Sequence, residues 1–211
     1  MEISISDNIK KISRGLSKKA KRQLPFAISE TLNKLAFEAQ KEEKKQAPKY
    51  LHKPTPFTLS GFRYKKSNKR NLTSLVYVDA GDRRRAYLKF AIVGGESKPK
   101  NRVLLHPTAN TKLNKYGNIP RNYLKDKLAN KTKFFKGTPK GMQGKDNYGL
   151  WERHGGKRGG QKQRLRMMAT FVDSRRYSAV FPFYRITEGV VKAKANMIFN
   201  KEFNKAMTTA R

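Results

Sequence analysis

The stretch "HKPTPFTLSGFRY", residues 52–64, decides the fold, because helical spacing ends before it and strand spacing begins within it. Only Lys53 and Arg63 are formally charged here, in a chain otherwise crowded with lysine. Pro54 and Pro56 push the residues before them into extended backbone. Residues 53–58 are therefore expected to form a stiff connector leading into a sheet, with Phe57 and Leu59 packing back on the preceding helix.

Upstream, from Ile9 to about Ala47, apolar residues recur at helical intervals: Ile9, Ile12 and Leu16, then Ile28, Leu32, Leu35 and Ala39. Proline suits a first helical turn and is costly inside a helix. The spacing thus predicts two helices, the second starting near Pro25 and stopped by Pro48. Downstream, "GFRYKK" and "LTSLVYVD" read as two strands joined at "SNKRN". Apolar residues at both parities, Leu75 and Tyr77 with Val76 and Val78, suggest a strand covered on both faces.

Further on, "AYLKFAIV" carries a short helical pattern closed by Gly94 and Gly95. Residues 96–118 read as irregular, and "IPRNYLKDKLAN" as a short helix. "KFFKG", "YGLWERH" and "LRMMATFVD" read as three strands, the last two joined by a hairpin tip, "GGKRGGQKQ". From Pro182 onward, Tyr184, Ile186, Val190, Val191, Ala195, Ile198, Phe199 and Phe203 mark a long amphipathic helix. The expected class is α+β: an antiparallel, mixed-order sheet of about five strands packed with long N-terminal and C-terminal helices. Residues 1–24 are expected to be a basic helix or arm, and residues 25–211 a single domain.

The 211 residues hold 49 Lys and Arg against 15 Asp and Glu, a formal net charge of +34. Such a charge attracts polyanions and repels a second copy. Nucleic acid, an anionic membrane surface, an acidic protein partner and a lysine-biased host proteome all fit it. With 36% hydrophobic and 10% aromatic residues the chain is a folded protein and not a basic tail. The absence of cysteine excludes disulfides, thiolate metal sites and a cysteine nucleophile. No run reaches the length of a membrane span, and "MEISISDNIKKISRG" lacks the apolar core of a secretory signal.

Catalytic signatures are missing. His52, His106 and His154 stand far apart, with no metal-binding spacing. "GTPKGMQGKDN" fails as a phosphate loop, since Pro139 stands where the first glycine belongs and Asp146 where a hydroxyl would hold magnesium. No cofactor is expected, and the chain reads as a non-enzyme. The pointed features are basic runs: "DRRRAY", with Arg83, Arg84 and Arg85, and "RHGGKRGGQKQRLR", with Arg153, Lys157, Arg158, Lys162, Arg164 and Arg166. Such side chains neutralise phosphates without reading bases. A solvated turn or a contact to an acidic subunit fits the second run equally well.

"QLPFAISETLNKLAFEAQ" (23–40), "KPTPFTLSGFRY" and "NLTSLVYV" together resemble the opening of phage tail-completion proteins of the minor tail protein Z family. The likeness continues in order through "AYLKFAIVGGESKPK", "NKYGNIPRN", "GLWERHG" and "TFVDSRRYSAVFPFYRITEGVV", spanning about residues 23–206. The lysine loading is heavier than is usual in that family, and "RGGQK" lengthens the hairpin tip. The resemblance implies a structural virion protein, made in the host cytoplasm and placed at the tail or head–tail junction. It would assemble as a ring around the DNA channel, next to portal, connector or tail subunits, without membrane contact and without catalysis. The nine arginines and lysines named above are then candidates for non-specific contact with genomic DNA or with an acidic partner. The competing reading is a general, non-specific basic nucleic-acid-binding protein.

Overall fold

The computed structural model describes residues 2–4, 17–79, 86–98, 104–144, 147–155 and 164–209. The class is α+β, with long helices near both ends of the chain and antiparallel sheets between them. The strands are divided among three sheets, of three, two and four strands, and not gathered into one. Two compact units result: Met1–Gly94 with Ser178–Arg211, and Gly95–Tyr177.

The first unit is built on helix α1 (Lys18–Tyr50) packed along helix α5 (Phe183–Thr208). Ser17 caps α1, its hydroxyl accepting from the Ala20 amide. The helix runs unbroken through Pro25 and Pro48, so the expected division at Pro25 and stop at Pro48 do not occur. Each proline removes one hydrogen bond, at a cost of about 3 kcal/mol in an isolated helix. Here an apolar stripe on both sides of Pro25, from Ala20 and Leu24 to Ile28, Leu32, Ala36 and Ala39, is buried and offsets it. The expected earlier helix from Ile9 falls mostly on residues 5–16, outside the described residues.

The connector is only half extended. Thr55 caps a single helical turn, α2 (Pro56–Leu59), accepting from the Thr58 amide at 3.0 Å, with Pro56 in the first-turn position it suits. Residues two apart on a helix point to opposite sides. Leu59 accordingly packs on the core while Phe57, expected beside it, lies exposed. Strands β2 (Phe62–Lys65) and β3 (Thr73–Val78) then pair as a hairpin, and β1 (Glu2–Ser4) adds to the outer edge of β3. Phe62, Val76 and Phe181 join the α1–α5 core. Gln40 donates to the Phe62 carbonyl and Asn33 accepts from the Ser67 amide, both at 2.7 Å, fixing the hairpin on the helix. Helix α3 (Tyr87–Val93) ends at Gly94, whose φ of 68° suits a residue without a side chain.

The second unit holds two sheets. Strands β4 (Gly95–Ser97) and β9 (Arg175–Tyr177) form a short pair. The four-stranded sheet runs β5 (Leu104–Pro107), β8 (Arg164–Val172), β7 (Gly149–His154), β6 (Phe134–Gly137). Strands β4 and β5 correct the irregular reading of residues 96–118; three or four residues are too few to show a period. One face of the sheet is closed by helix α4 (Tyr123–Ala129), with Tyr123, Phe134, Leu150, Met168 and Ala169 as its core.

Candidate nucleic-acid interface

The hairpin β7–β8 carries three of the basic residues that sequence singled out, Arg153, Arg164 and Arg166. In its register Glu152 faces Arg166, Arg153 faces Leu165, and His154 faces Arg164. Directly paired residues share a face. Arg164, Arg166, Glu152 and His154 therefore lie on the α4 side, with Phe134 of β6 opposite Glu152. Arg153 lies on the other side, with Phe135, Trp151 and Leu165.

Arg164 and Arg166 are exposed, at the end of the sheet where β8 begins. Glu152 is nearly buried and is held by Lys133 at 3.1 Å. Arg153 is engaged within the protein: its guanidinium lies 4.5 Å from the Phe135 ring centre and donates to the Lys131 carbonyl at 2.9 Å and the Thr132 carbonyl at 3.2 Å. These bonds draw the α4–β6 turn, and with it Lys131 and Lys133, to the same end of the sheet. The sequence reading missed those two lysines. The alternation in "KTKFFKG" is their signal, once the strand is paired with β7. Arg83, Arg84, Arg85, Lys157, Arg158 and Lys162 lie outside the described residues.

Carboxylates are scarce across this unit; in sequence they are Glu96, Asp126, Asp146, Glu152 and Asp173. Aromatic rings take their place beside the cations. Lys127 lies 4.8 Å from the centre of Phe134 and 5.8 Å from Tyr123. Lys136 lies 5.1 Å from Phe171 and 5.8 Å from Tyr148. Lys115 is 5.1 Å from Tyr116, and Arg175 is 5.7 Å from Tyr177. A ring's negative face attracts the cation above it without neutralising it.

The groups capable of chemistry are dispersed. His106 meets Arg175 at 2.8 Å through Nδ1, and His154 is exposed beside Arg164. Among the described residues no three His, Asp or Glu converge to hold a metal ion. Among them, too, no helix is long and apolar enough to cross a membrane. In the first unit, burial raises the carboxyl of Glu43 to about 8 despite a hydrogen bond from Thr187. Glu43 is fully buried in the α1–α5 seam, bonded across it to Thr187. The hydrogen bond from Lys194 lowers Glu38, and burial raises the Tyr123 phenol.

Comparison with protein-family models, with curated proteins and with solved structures finds no match.

Proposed function

We propose that this chain is a structural protein of a phage virion, of the kind that completes the tail or joins head to tail. In this reading it assembles as a ring around the DNA channel and meets portal, connector or tail subunits. It catalyses no reaction and binds no cofactor. The observation that carries the reading is the collinear series of blocks resembling the minor tail protein Z family. Most of those blocks fall on the elements that make the fold: 23–40 within α1, 53–64 on α2 and β2, 71–78 on β3, 86–100 on α3 and β4, "GLWERHG" on β7, and the last on β8, β9 and the start of α5, while "NKYGNIPRN" falls on the turns before α4.

Two features support it. Phe37, Met197, Val180 and Tyr184 are about half exposed or more, and exposed apolar side chains of this size suit contact with neighbouring subunits. The basic end of the four-stranded sheet suits a conduit, because contacts that neutralise phosphates without reading bases let DNA slide. A closed ring would repeat that end around its axis. The test is the copy number in purified, DNA-filled virions, by quantitative mass spectrometry against the major capsid protein. A small number compatible with a closed ring, about six or twelve, is expected. Absence from particles, or copies scaling with genome length, would overturn the reading.

The same basic surface favours a second reading, a general nucleic-acid-binding protein that forms no ring. That protein would coat its ligand stoichiometrically, and the copy-number measurement separates the two.

A further inference from the structure

We propose that the basic end of the four-stranded sheet, around Lys131, Lys133, Arg164 and Arg166, binds duplex DNA by its phosphate backbone and rejects single strands as ligands of comparable affinity. The proposal deepens the DNA-channel reading above and rests on it for its biological setting; its chemistry stands on the second unit alone.

Two requirements distinguish the two forms of nucleic acid. A single strand is held by bases stacked on aromatic faces, each worth about 1–3 kcal/mol, with cations along the backbone. A duplex hides its base faces, so its non-specific binding comes from cations set against phosphates. The second unit meets the second requirement and fails the first. Every aromatic side chain between Gly95 and Tyr177 is either buried or already has a cation beside it. Trp151, Phe134, Phe171 and Tyr123 are at most 6% exposed. Phe135 carries Arg153, Tyr148 carries Lys136, Tyr116 carries Lys115 and Tyr177 carries Arg175. A base stacking on these rings would compete with a cation already beside each of them.

The cations, by contrast, are well placed for phosphates. Lys131, Lys133, Arg164 and Arg166 are all exposed, and the one carboxylate among them, Glu152, is nearly buried. Rigid strands and the Arg153 bonds to the α4–β6 turn hold the set in place. None of these donors is aimed into a groove by a helix, so no sequence is read.

The experiment uses the full chain. Fluorescence anisotropy would follow binding to a short labelled duplex of mixed sequence and to an equally long oligo-dT strand, across a salt series. One variant carries Arg164→Gln with Arg166→Gln; glutamine avoids placing a second carboxylate opposite Glu152. A matched variant, Lys65→Gln with Lys66→Gln, removes the same charge from exposed positions of the first unit. The duplex is expected to bind more tightly than oligo-dT. The arginine pair should weaken duplex binding on the order of tenfold and flatten the log–log salt slope by about 1–2, because two phosphate contacts are lost. The lysine pair should change affinity less than about threefold.

Oligo-dT binding as tight as the duplex would overturn the proposal, as would equal losses from both variants. Failure of any duplex binding, with salt-sensitive capture by an acidic virion protein, would overturn it in favour of a protein-docking surface. A ring-compatible virion copy number would survive each of those failures. Conversely, a failed copy number with the expected binding pattern would remove the ring and leave the duplex surface standing.

Discussion

Thr187 on α5 donates from Oγ1 to Oε1 of Glu43 on α1 at 2.8 Å, in a site closed to solvent. The second carboxyl oxygen, Oε2, has no hydrogen-bond partner. An ionised carboxylate left so poorly solvated is costly, and burial accordingly raises this group from 4.5 to about 8. The seam between the two long helices is therefore joined by a neutral acid at neutral pH.

The pH dependence follows from that neutral acid. In the unfolded chain Glu43 loses its proton near its ordinary value; in the folded chain it keeps it to about 8. Between those values the folded state binds more protons, so stability falls as pH rises through that window and levels off above it. The contribution is on the order of a few kcal/mol. Glu43→Gln preserves an acceptor for Thr187 and does not titrate. Urea denaturation at a series of pH values should show this variant losing less stability than the parent between about 5 and 8. Parallel curves would show that Glu43 ionises freely in the folded protein.

A second polar link in the same seam behaves differently. Lys34 on α1 meets Glu202 on α5 at 2.5 Å; the carboxylate is 3% exposed and the lysine 44%. Lys34→Met leaves a buried charge without its partner and should cost about 1–3 kcal/mol, less than a fully buried pair because water reaches the lysine side. Adding Glu202→Gln to that variant should restore most of the loss. A double-mutant cycle by urea denaturation measures this coupling, and additive losses would show that the pair contributes nothing specific.

Gly149 opens β7 where no side chain fits. A Cβ built there would meet the Ala169 carbonyl oxygen at 2.3 Å, and that oxygen is backbone in the facing strand. The strands cannot part locally without breaking the ladder that positions Arg164 and Arg166. Gly149→Ala should therefore cost about 2 kcal/mol or more. Hydrogen exchange should rise across β7 and β8 and stay unchanged in α1. An unchanged melting temperature would mean that the register tolerates a shift at its irregularity between Leu150 and Trp151.

How much of this was legible beforehand depended on length and on partners. The long stripes in α1 and α5 span many turns, so their period was plain, and the five strands expected between them all form. The proline reading failed because intrinsic cost was weighed without the tertiary packing on either side of Pro25. Strands β1, β4, β5 and β9 escaped because a three- or four-residue strand is defined by its partner and not by its own pattern. The site was partly visible: Arg164 and Arg166 stood out as charge, while Lys131 and Lys133 joined them only through the β6–β7 pairing. The pairing of rings with cations was hidden for the same reason, since Lys136 and Phe171 are far apart in sequence.

The opening stretch tests local chemistry. Thr55 accepts from the Thr58 amide, and its hydroxyl also meets the Thr58 hydroxyl at 2.9 Å. Thr55→Ala removes the cap and should cost about 1 kcal/mol. Thr55→Ser keeps the acceptor and should cost little. Thermal denaturation of the two variants side by side checks this; equal losses would mean the methyl group, not the hydroxyl, matters there.

Arg153 separates structure from binding at the basic end of the sheet. Its planar guanidinium covers Phe135 while donating to two carbonyls of the α4–β6 turn. Lysine carries the same charge but cannot stack a plane on the ring and reach both carbonyls with a rigid fork. Arg153→Lys should cost about 1–2 kcal/mol through the lost hydrogen bonds and ring contact. Exchange should quicken at the Arg153 amide, which donates to the Lys133 carbonyl at 2.7 Å. Duplex affinity should stay within about twofold, because the charge is kept and this guanidinium is occupied inside the protein. A large loss of affinity with stability unchanged would place the Arg153 guanidinium on the DNA, and the turn it holds would then be a consequence of the site and not its support.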